Sequence, residues 1–135
     1  MMSRRAAVKL ARGILALVAV AFGLATLVAG GRVVAGAEPG YLVFRPLVIF
    51  NTAMGVAYSA AGILTWRSPE RGRVVAATIF LLNLVALVAV GYLYTSGGAV
   101  AVDSVRAMMF RTGVWLVLLL GVSWVIRHER GSANP

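Results

Sequence analysis

The chain has no cysteine, one histidine and only four acidic residues among its 135. Disulfide exchange needs thiols, and a zinc site needs a cluster of cysteine or histidine ligands, so the sequence excludes both. Haem ligation by two imidazoles within a bilayer is excluded as well, because the single imidazole, His128, lies beyond the last apolar segment. We therefore expect no metal site and no cofactor.

The few acidic residues, Glu38, Glu70, Asp103 and Glu129, all lie between or beyond the apolar segments. General acid–base catalysis needs a titratable group placed at the substrate. Glu38 and Asp103 would act together only if the two loops that carry them met. The scarcity of such groups favours a protein that is not an enzyme.

Long uncharged segments are what the chain has in abundance. They span residues 13–31, 46–66, 74–102 and 112–126. A bilayer core requires about 20 apolar residues per helix. The third segment is therefore long enough for a span and a loop. The fourth segment is long enough for a span only if it includes residues 107–111.

With 61% hydrophobic residues and a mean hydropathy of +0.91, the chain lies outside the range of soluble proteins. The predicted fold is an all-α integral membrane bundle of four antiparallel helices. Residues 1–135 form one membrane domain, with spans at about 13–31, 46–66, 74–94 and 107–126.

Twelve arginines and Lys9 outnumber the four acidic residues, which gives a formal net charge of +9, and these basic residues lie at the ends of the apolar segments. This distribution is typical of membrane topology signals and lipid contacts, and not of nucleic-acid binding. Nine basic residues lie in the two tails and the short second loop, and four lie on the other side of the predicted bundle. The positive-inside rule therefore predicts a multi-pass membrane protein with both termini in the cytoplasm.

The N-terminus has an alternative interpretation. Residues 3–9, the apolar segment and the Ala-Gly-Ala of residues 35–37 together resemble a twin-arginine signal followed by a cleavage site. The apolar segment is longer than a usual signal core, and Arg32 lies between it and the supposed cleavage site. We therefore expect the first segment to remain as a span.

Two segments of the chain are weakly similar to each other. Residues 30–46 and 97–112 both run from a Gly-Gly pair through valine and an acidic residue to Phe-Arg at the start of a span. Gly23 and Gly91 lie upstream of these segments. Duplication of a two-helix hairpin would produce this pattern, and so would chance in a chain rich in Ala, Val and Gly.

Small and polar residues recur at spacings of three and four along the first two spans, which places them on one face of each helix. In the first span this face contains Ala16, Ala19, Gly23, Thr26 and Gly30. In the second span it contains Asn51, Gly55, Tyr58, Gly62 and Thr65. Lipid gives no hydrophobic drive between helices, so small residues that allow close approach are expected at helix contacts. We predict that both faces pack within the bundle, with the lining of a polar cavity as the alternative for the second.

The fixed rise per residue of an α-helix places residues of different spans at comparable heights. Tyr58 and Asn83 both come out near the middle of the membrane, where they can meet. Asn51, Arg111 and Thr26 converge in the outer half of the bundle, where the two longer loops lie.

Arg111 is the most informative single residue, because an arginine inside a span is costly unless it is paired or reaches the interface. It either anchors its helix at the lipid head groups or belongs to a polar pocket open to the outer surface. The predicted pocket contains Asn51, Tyr92, Tyr94, Arg106 and Arg111. Glu38 or Asp103 would balance its positive charge. Its guest would be anionic or a hydrogen-bond acceptor, such as an anionic lipid or a quinone-like molecule.

Several short motifs lie between Phe44 and about Trp115. They are Phe50-Asn51 at the start of a span, Gly55-x-x-Tyr58, and the Ser-Gly-Gly-Ala and Ala-Met-x-x-Arg-Thr patterns within residues 91–115. In these motifs the chain resembles small bacterial four-span membrane proteins of unknown function. Relatives often place a histidine where this chain has Leu93. The resemblance implies a fold and no assigned activity.

Two functions are compatible with these features. The first is a small non-catalytic membrane protein that binds lipid or a partner, or accompanies a larger membrane complex. The alternative is a small transporter or channel with an outward-facing anion site, which would be a homo-oligomer because four helices enclose little space. Transport usually needs an ionisable group inside the membrane, and Arg111 is the only candidate. The abundance of packing faces favours the first function.

Overall fold

The computed structural model describes residues 2–133, which form an antiparallel bundle of four α-helices. The helices are α1 (Arg4–Val34), α2 (Arg45–Arg67), α3 (Pro69–Thr95) and α4 (Val102–Ala133). Each is long and apolar enough to cross a membrane. The predicted all-α four-helix bundle is confirmed.

The helices extend beyond the apolar segments because their ends have their own stop and start signals. α1 begins at Arg4, where the Ser3 hydroxyl accepts a hydrogen bond from the Ala6 N–H at 3.1 Å and caps the first turn. The loops at the other end contain glycines with positive φ, namely Gly36 (+113°), Gly40 (+85°) and Gly97 (+83°). Residues with a side chain rarely adopt this backbone conformation, so these glycines allow the loops to follow their path.

The connection between α2 and α3 is shorter than the sequence indicated. Residues 67–73 were expected to form a loop, but Ser68 alone separates the two helices. Pro69 occupies the first turn of α3, where its missing N–H costs nothing. Gly72 lies inside α3, directly against Thr65 of α2. These two residues thus start a helix and permit a helix contact, where the sequence suggested a turn.

α1 and α2 pack closely through the two faces of small residues predicted from the sequence. A Cβ atom at Gly62 would lie 2.7 Å from the Ala16 carbonyl oxygen, and one at Gly23 would lie 2.9 Å from the Gly55 carbonyl oxygen. Ala16, Gly23 and Gly62 are buried. The predicted packing of both faces is confirmed, and Gly55 and Gly62 of the α2 face lie against α1.

The second hairpin, α3 with α4, packs through larger side chains. Ile79 of α3 and Trp115 and Leu118 of α4 are buried in the central apolar cluster. Gly91 and Gly113 have nothing near the position of a Cβ atom. Gly91 therefore does not repeat the close contact that Gly23 makes, and the duplication of a hairpin stays a prediction.

Arg12 of α1 fastens the end of the bundle that carries both termini, here called the termini end. Its Nε atom donates to the Thr65 carbonyl oxygen at 3.1 Å, and its Nη2 atom donates to the Trp66 carbonyl oxygen. The Thr65 carbonyl oxygen needs such a donor because Pro69, four residues further along the chain, has no N–H to donate to it. Arg12 Nη1 also forms an ion pair with Glu129 Oε1 of α4 at 3.3 Å. One arginine thus links three helices.

Candidate functional site

Arg111 is held inside the bundle, near the end that carries the two longer loops, here called the loop end. Its Nη1 atom donates to the Thr26 hydroxyl of α1 at 2.9 Å. Its Cζ atom lies 5.7 Å from the centre of the Phe22 ring, in a cation–π contact. The contact with Thr26 agrees with the matching heights of the two residues. Arg111 therefore points toward α1, and not outward as an anchor in the head groups would.

A cavity of about 320 Å³ opens beside Arg111 and is here called the loop-end cavity. It lies between α1, α2 and α4, under the loop that joins α1 to α2. Its charged and polar lining residues are Thr26, Arg32, Glu38, Tyr41, Asn51, Ser104 and Arg111. Its apolar lining comes mainly from Ala29, Val33, Pro39, Leu47 and Val48. The cavity thus combines an apolar wall with charges of both signs.

Asn51 lines the loop-end cavity and brings an unsatisfied polar atom to it. Its Oδ1 atom is buried and has no hydrogen-bond partner among the described residues. A buried polar atom without a partner costs about 1–3 kcal/mol, so such an atom beside a cavity indicates a place for a guest. The carboxamide offers an acceptor in one orientation and a donor pair in the other.

Three residues of the predicted pocket lie elsewhere. The side chains of Tyr92 and Tyr94 are 70% and 45% exposed at the end of α3, and Arg106 is exposed on α4. None of the three lines the loop-end cavity. The two tyrosines lie apart from the cavity because α3 packs on α2 and α4, whereas the cavity lies where α1, α2 and α4 meet. Arg106 belongs to α4 but lies on an exposed part of it.

The aromatic residue of the cavity is Tyr41, which the predicted pocket did not include. Tyr41 and Glu38 reach the cavity because the loop after α1 returns over the helix ends. Gly36 and Gly40 make this path accessible to the backbone. The glycines and Pro39 signalled a turn in the sequence, but not the direction in which it leads. Asp103 does not line the cavity.

A second group of polar side chains lies deeper in the bundle. The Tyr58 hydroxyl donates to Asn83 Oδ1 at 3.1 Å, and both side chains are fully buried. This meeting was predicted from the heights of the two residues and is confirmed. The ring of Tyr58 packs on Phe22 and on Trp115, with ring centres 5.4 Å and 4.9 Å apart.

This deeper group is continuous with the loop-end cavity. Phe22 contacts both Arg111 and Tyr58, so its ring joins the two groups. Polar groups therefore follow one another from Asn51 and Arg111 at the cavity to Asn83 at the centre of the bundle.

Searches with this chain against protein-family models, curated proteins and solved structures find no match. The resemblance to small bacterial four-span proteins therefore stays a prediction. Four membrane-spanning helices and a polar cavity at one end define a small multi-pass membrane protein.

Proposed function

We propose that this protein is a non-catalytic protein of a bacterial inner membrane that binds an amphiphilic molecule in the loop-end cavity. The observation that carries the proposal is Arg111, an arginine within a span that turns into the bundle beside a cavity, where Asn51 presents a buried atom without a partner. By the positive-inside rule, this cavity faces away from the cytoplasm.

The cavity suits a head group that accepts hydrogen bonds. Arg111 has five N–H donors, and its bond to Thr26 uses one of them. Guanidinium groups in poorly solvated places bind phosphate, carboxylate or carbonyl oxygens strongly, because charge-assisted hydrogen bonds gain strength there. An anionic lipid and a quinone-like molecule share this acceptor chemistry.

The size and lining of the cavity also fit part of an amphiphile. A volume of about 320 Å³ is at the lower end of ligand pockets, which measure roughly 300–1,000 Å³. Such a volume holds a head group while the acyl or isoprenoid chain stays in the bilayer. The apolar side chains of Ala29, Val33 and Val48 provide a wall along which the first part of that chain can lie.

The half of the bundle at the termini end favours a binding function over a transport function. Below Tyr58 and Asn83, the buried positions of α4 are apolar: Leu118, Val122, Val125 and Ile126. Thr65 is buried there too, but its hydroxyl donates to the Ala61 carbonyl oxygen 2.8 Å away. A polar path through a single bundle would have to pass this apolar region, so transport would require a homo-oligomer.

Native mass spectrometry of the full chain in mild detergent tests the proposal. Membranes containing the parent protein, Arg111→Gln and Arg106→Gln are extracted identically, and retained lipids and quinones are identified by mass. Arg106 is the matched control, because it is an exposed arginine of the same helix outside the cavity. We expect Arg111→Gln to reduce retention about tenfold or more, since a charge-assisted hydrogen bond contributes about 1.5–3 kcal/mol.

Retention in the Arg106→Gln variant should equal that of the parent. If both arginine variants retain the same molecules as the parent, the loop-end cavity is not the binding site. The masses also decide between a phospholipid and a quinone. Melting curves in detergent establish that Arg111→Gln is folded before its retention is compared.

A further inference from the structure

We propose that the loop-end cavity recognises a phospholipid head group that carries a primary ammonium beside its phosphate, as in phosphatidylethanolamine. This inference rests on the proposed function and narrows its ligand. It follows from three charged residues that line one cavity without forming an ion pair with one another, namely Arg32, Arg111 and Glu38.

Glu38 is the decisive residue. Opposite charges that line one cavity attract each other, even where water screens part of the attraction, as it does for the exposed Glu38 and Arg32 side chains. Glu38 nevertheless forms no ion pair or hydrogen bond with either arginine among the described residues. Glu38 lines the cavity from the loop after α1, in which Gly36 and Gly40 have positive φ. A guest with charges of both signs fits between the carboxylate and the guanidinium groups.

The phosphate belongs on the arginine side. Arg111 is the deeper of the two arginines and is oriented by its bond to Thr26 at 2.9 Å, whereas Arg32 lies exposed in the last turn of α1. Two guanidinium groups that line one cavity can donate to different oxygens of one phosphate. If the Asn51 amide is turned so that Nδ2 takes the place of the buried Oδ1, it can donate to a further oxygen of the phosphate.

The ammonium belongs on the loop side. A primary ammonium has three N–H donors, and Glu38 offers it a carboxylate. Tyr41 lines the same part of the cavity, and an aromatic ring attracts a nearby cation through its π electrons. A head group with both charges therefore satisfies every charged residue of the cavity.

Other common head groups leave part of the cavity unsatisfied. Phosphatidylglycerol has no cation, so Glu38 would stay unpaired beside a phosphate of the same sign. Phosphatidylcholine has a cation but no N–H donor for the carboxylate. A quinone has neither charge, and its carbonyls would meet only the donors on the arginine side.

The test is a competition for the full-length protein, stripped of lipid in detergent. Short-chain phosphatidylethanolamine, phosphatidylglycerol, phosphatidylcholine and a quinone are added in turn at equal concentrations, and bound fractions are read by native mass spectrometry. For the parent we expect phosphatidylethanolamine to bind about tenfold more tightly than phosphatidylglycerol or phosphatidylcholine.

Glu38→Gln should remove this preference without weakening phosphatidylglycerol binding. Asp103→Asn is the matched control, because Asp103 is an exposed acidic residue at the same end of the bundle and does not line the cavity. This control should keep the parental preference. Arg111→Gln should weaken the binding of both phospholipids.

The outcomes separate this inference from the proposed function. Equal binding of phosphatidylethanolamine and phosphatidylcholine, or an unchanged preference in Glu38→Gln, would overturn the recognition of a primary ammonium while amphiphile binding stands. If Arg111→Gln binds every added molecule as the parent does, the proposed function fails together with the inference. Preference for the quinone would leave the cavity as a ligand site and refute the phospholipid.

Discussion

At the scale of single residues, the polar side chains of the spans differ in whether their hydrogen bonds are satisfied within the bundle. The hydroxyls of Thr52, Ser59, Thr65 and Thr112 donate to the carbonyl four residues earlier in their own helix. These hydroxyls therefore need no hydrogen-bond partner on a neighbouring helix. By contrast, Asn51 Oδ1 has no partner among the described residues and lies at the cavity, whereas Asn83 Nδ2 and Trp115 Nε1, which are unpartnered there too, belong to residues that do not line it.

The bond between Tyr58 and Asn83 gives a prediction about stability. Tyr58→Phe removes the donor to Asn83 without changing the ring that packs between Phe22 and Trp115. Hydrogen bonds between membrane helices contribute about 0.6 kcal/mol on average and up to about 1.7 kcal/mol. We expect a loss in that range in the free energy of unfolding, measured by reversible denaturation in detergent micelles.

Tyr92→Phe is the control for this experiment, because the Tyr92 side chain is 70% exposed. It should unfold like the parent. An unfolding free energy for Tyr58→Phe equal to that of Tyr92→Phe would contradict the buried hydrogen bond. Combining Tyr58→Phe with Asn83→Ala should cost less than the sum of the two single changes, since both remove the same interaction.

The sequence predicted which residues share a height, but only two of those that share the cavity, Asn51 and Arg111. The rise per residue of a helix is constant, so the pairs of Tyr58 with Asn83 and of Arg111 with Thr26 followed from counting. The direction in which each helix faces, and the path of the first loop, depend on packing between distant segments. Tyr41 was therefore not assigned to the cavity, and Tyr92 and Tyr94 were assigned to it incorrectly.

At the scale of helices, the two hairpins achieve contact by different means. α1 and α2 lie so close together that a Cβ atom at Gly62 would be only 2.7 Å from a carbonyl oxygen of α1. α3 and α4 instead pack through side chains such as Ile79 and Trp115. The regular spacing of small residues made the first contact predictable. The second contact carries no such pattern, because large apolar side chains face lipid and neighbouring helices alike.

Gly62→Ala and Gly113→Ala should have opposite effects on stability. The added methyl group at Gly62 meets Ala16 and Val20 backbone atoms at 2.7 Å and 2.9 Å, so the helices must separate. We expect a loss of about 1–3 kcal/mol, the usual cost of overpacking. Gly113 has open space at the same position, and alanine there should leave stability unchanged or raise it by up to about 1 kcal/mol.

Thermal melting of both variants in one detergent checks this pair. A melting temperature for Gly62→Ala at or above that of Gly113→Ala would show that α1 and α2 do not approach as closely as described. Gly62→Leu should lower the melting temperature further, since a larger side chain forces a larger separation.

At the scale of the whole molecule, the two ends of the bundle serve different purposes. At the termini end, Arg12 uses its donors on Glu129 and on the last carbonyls of α2, so its charge is engaged in holding three helices together. At the loop end, Arg111 keeps donors available beside a cavity. Buried arginine charge stabilises the fold at one end and prepares a site at the other.

The orientation of this asymmetric bundle follows from the distribution of its basic residues. Nine of them lie at the termini end and four at the loop end, and segments rich in arginine and lysine stay in the cytoplasm during insertion. Reporter fusions at Gly98, in the loop before α4, and after Arg130, near the end of α4, should therefore report opposite sides. The fusion after Arg130 should be cytoplasmic. A further fusion at Gly36, in the other loop, should agree with the one at Gly98.

Fusions at Gly98 and Arg130 on the same side would contradict four spans. Reversed sides would keep the bundle but turn the loop-end cavity to the cytoplasm, where it would meet the lipids of the inner leaflet.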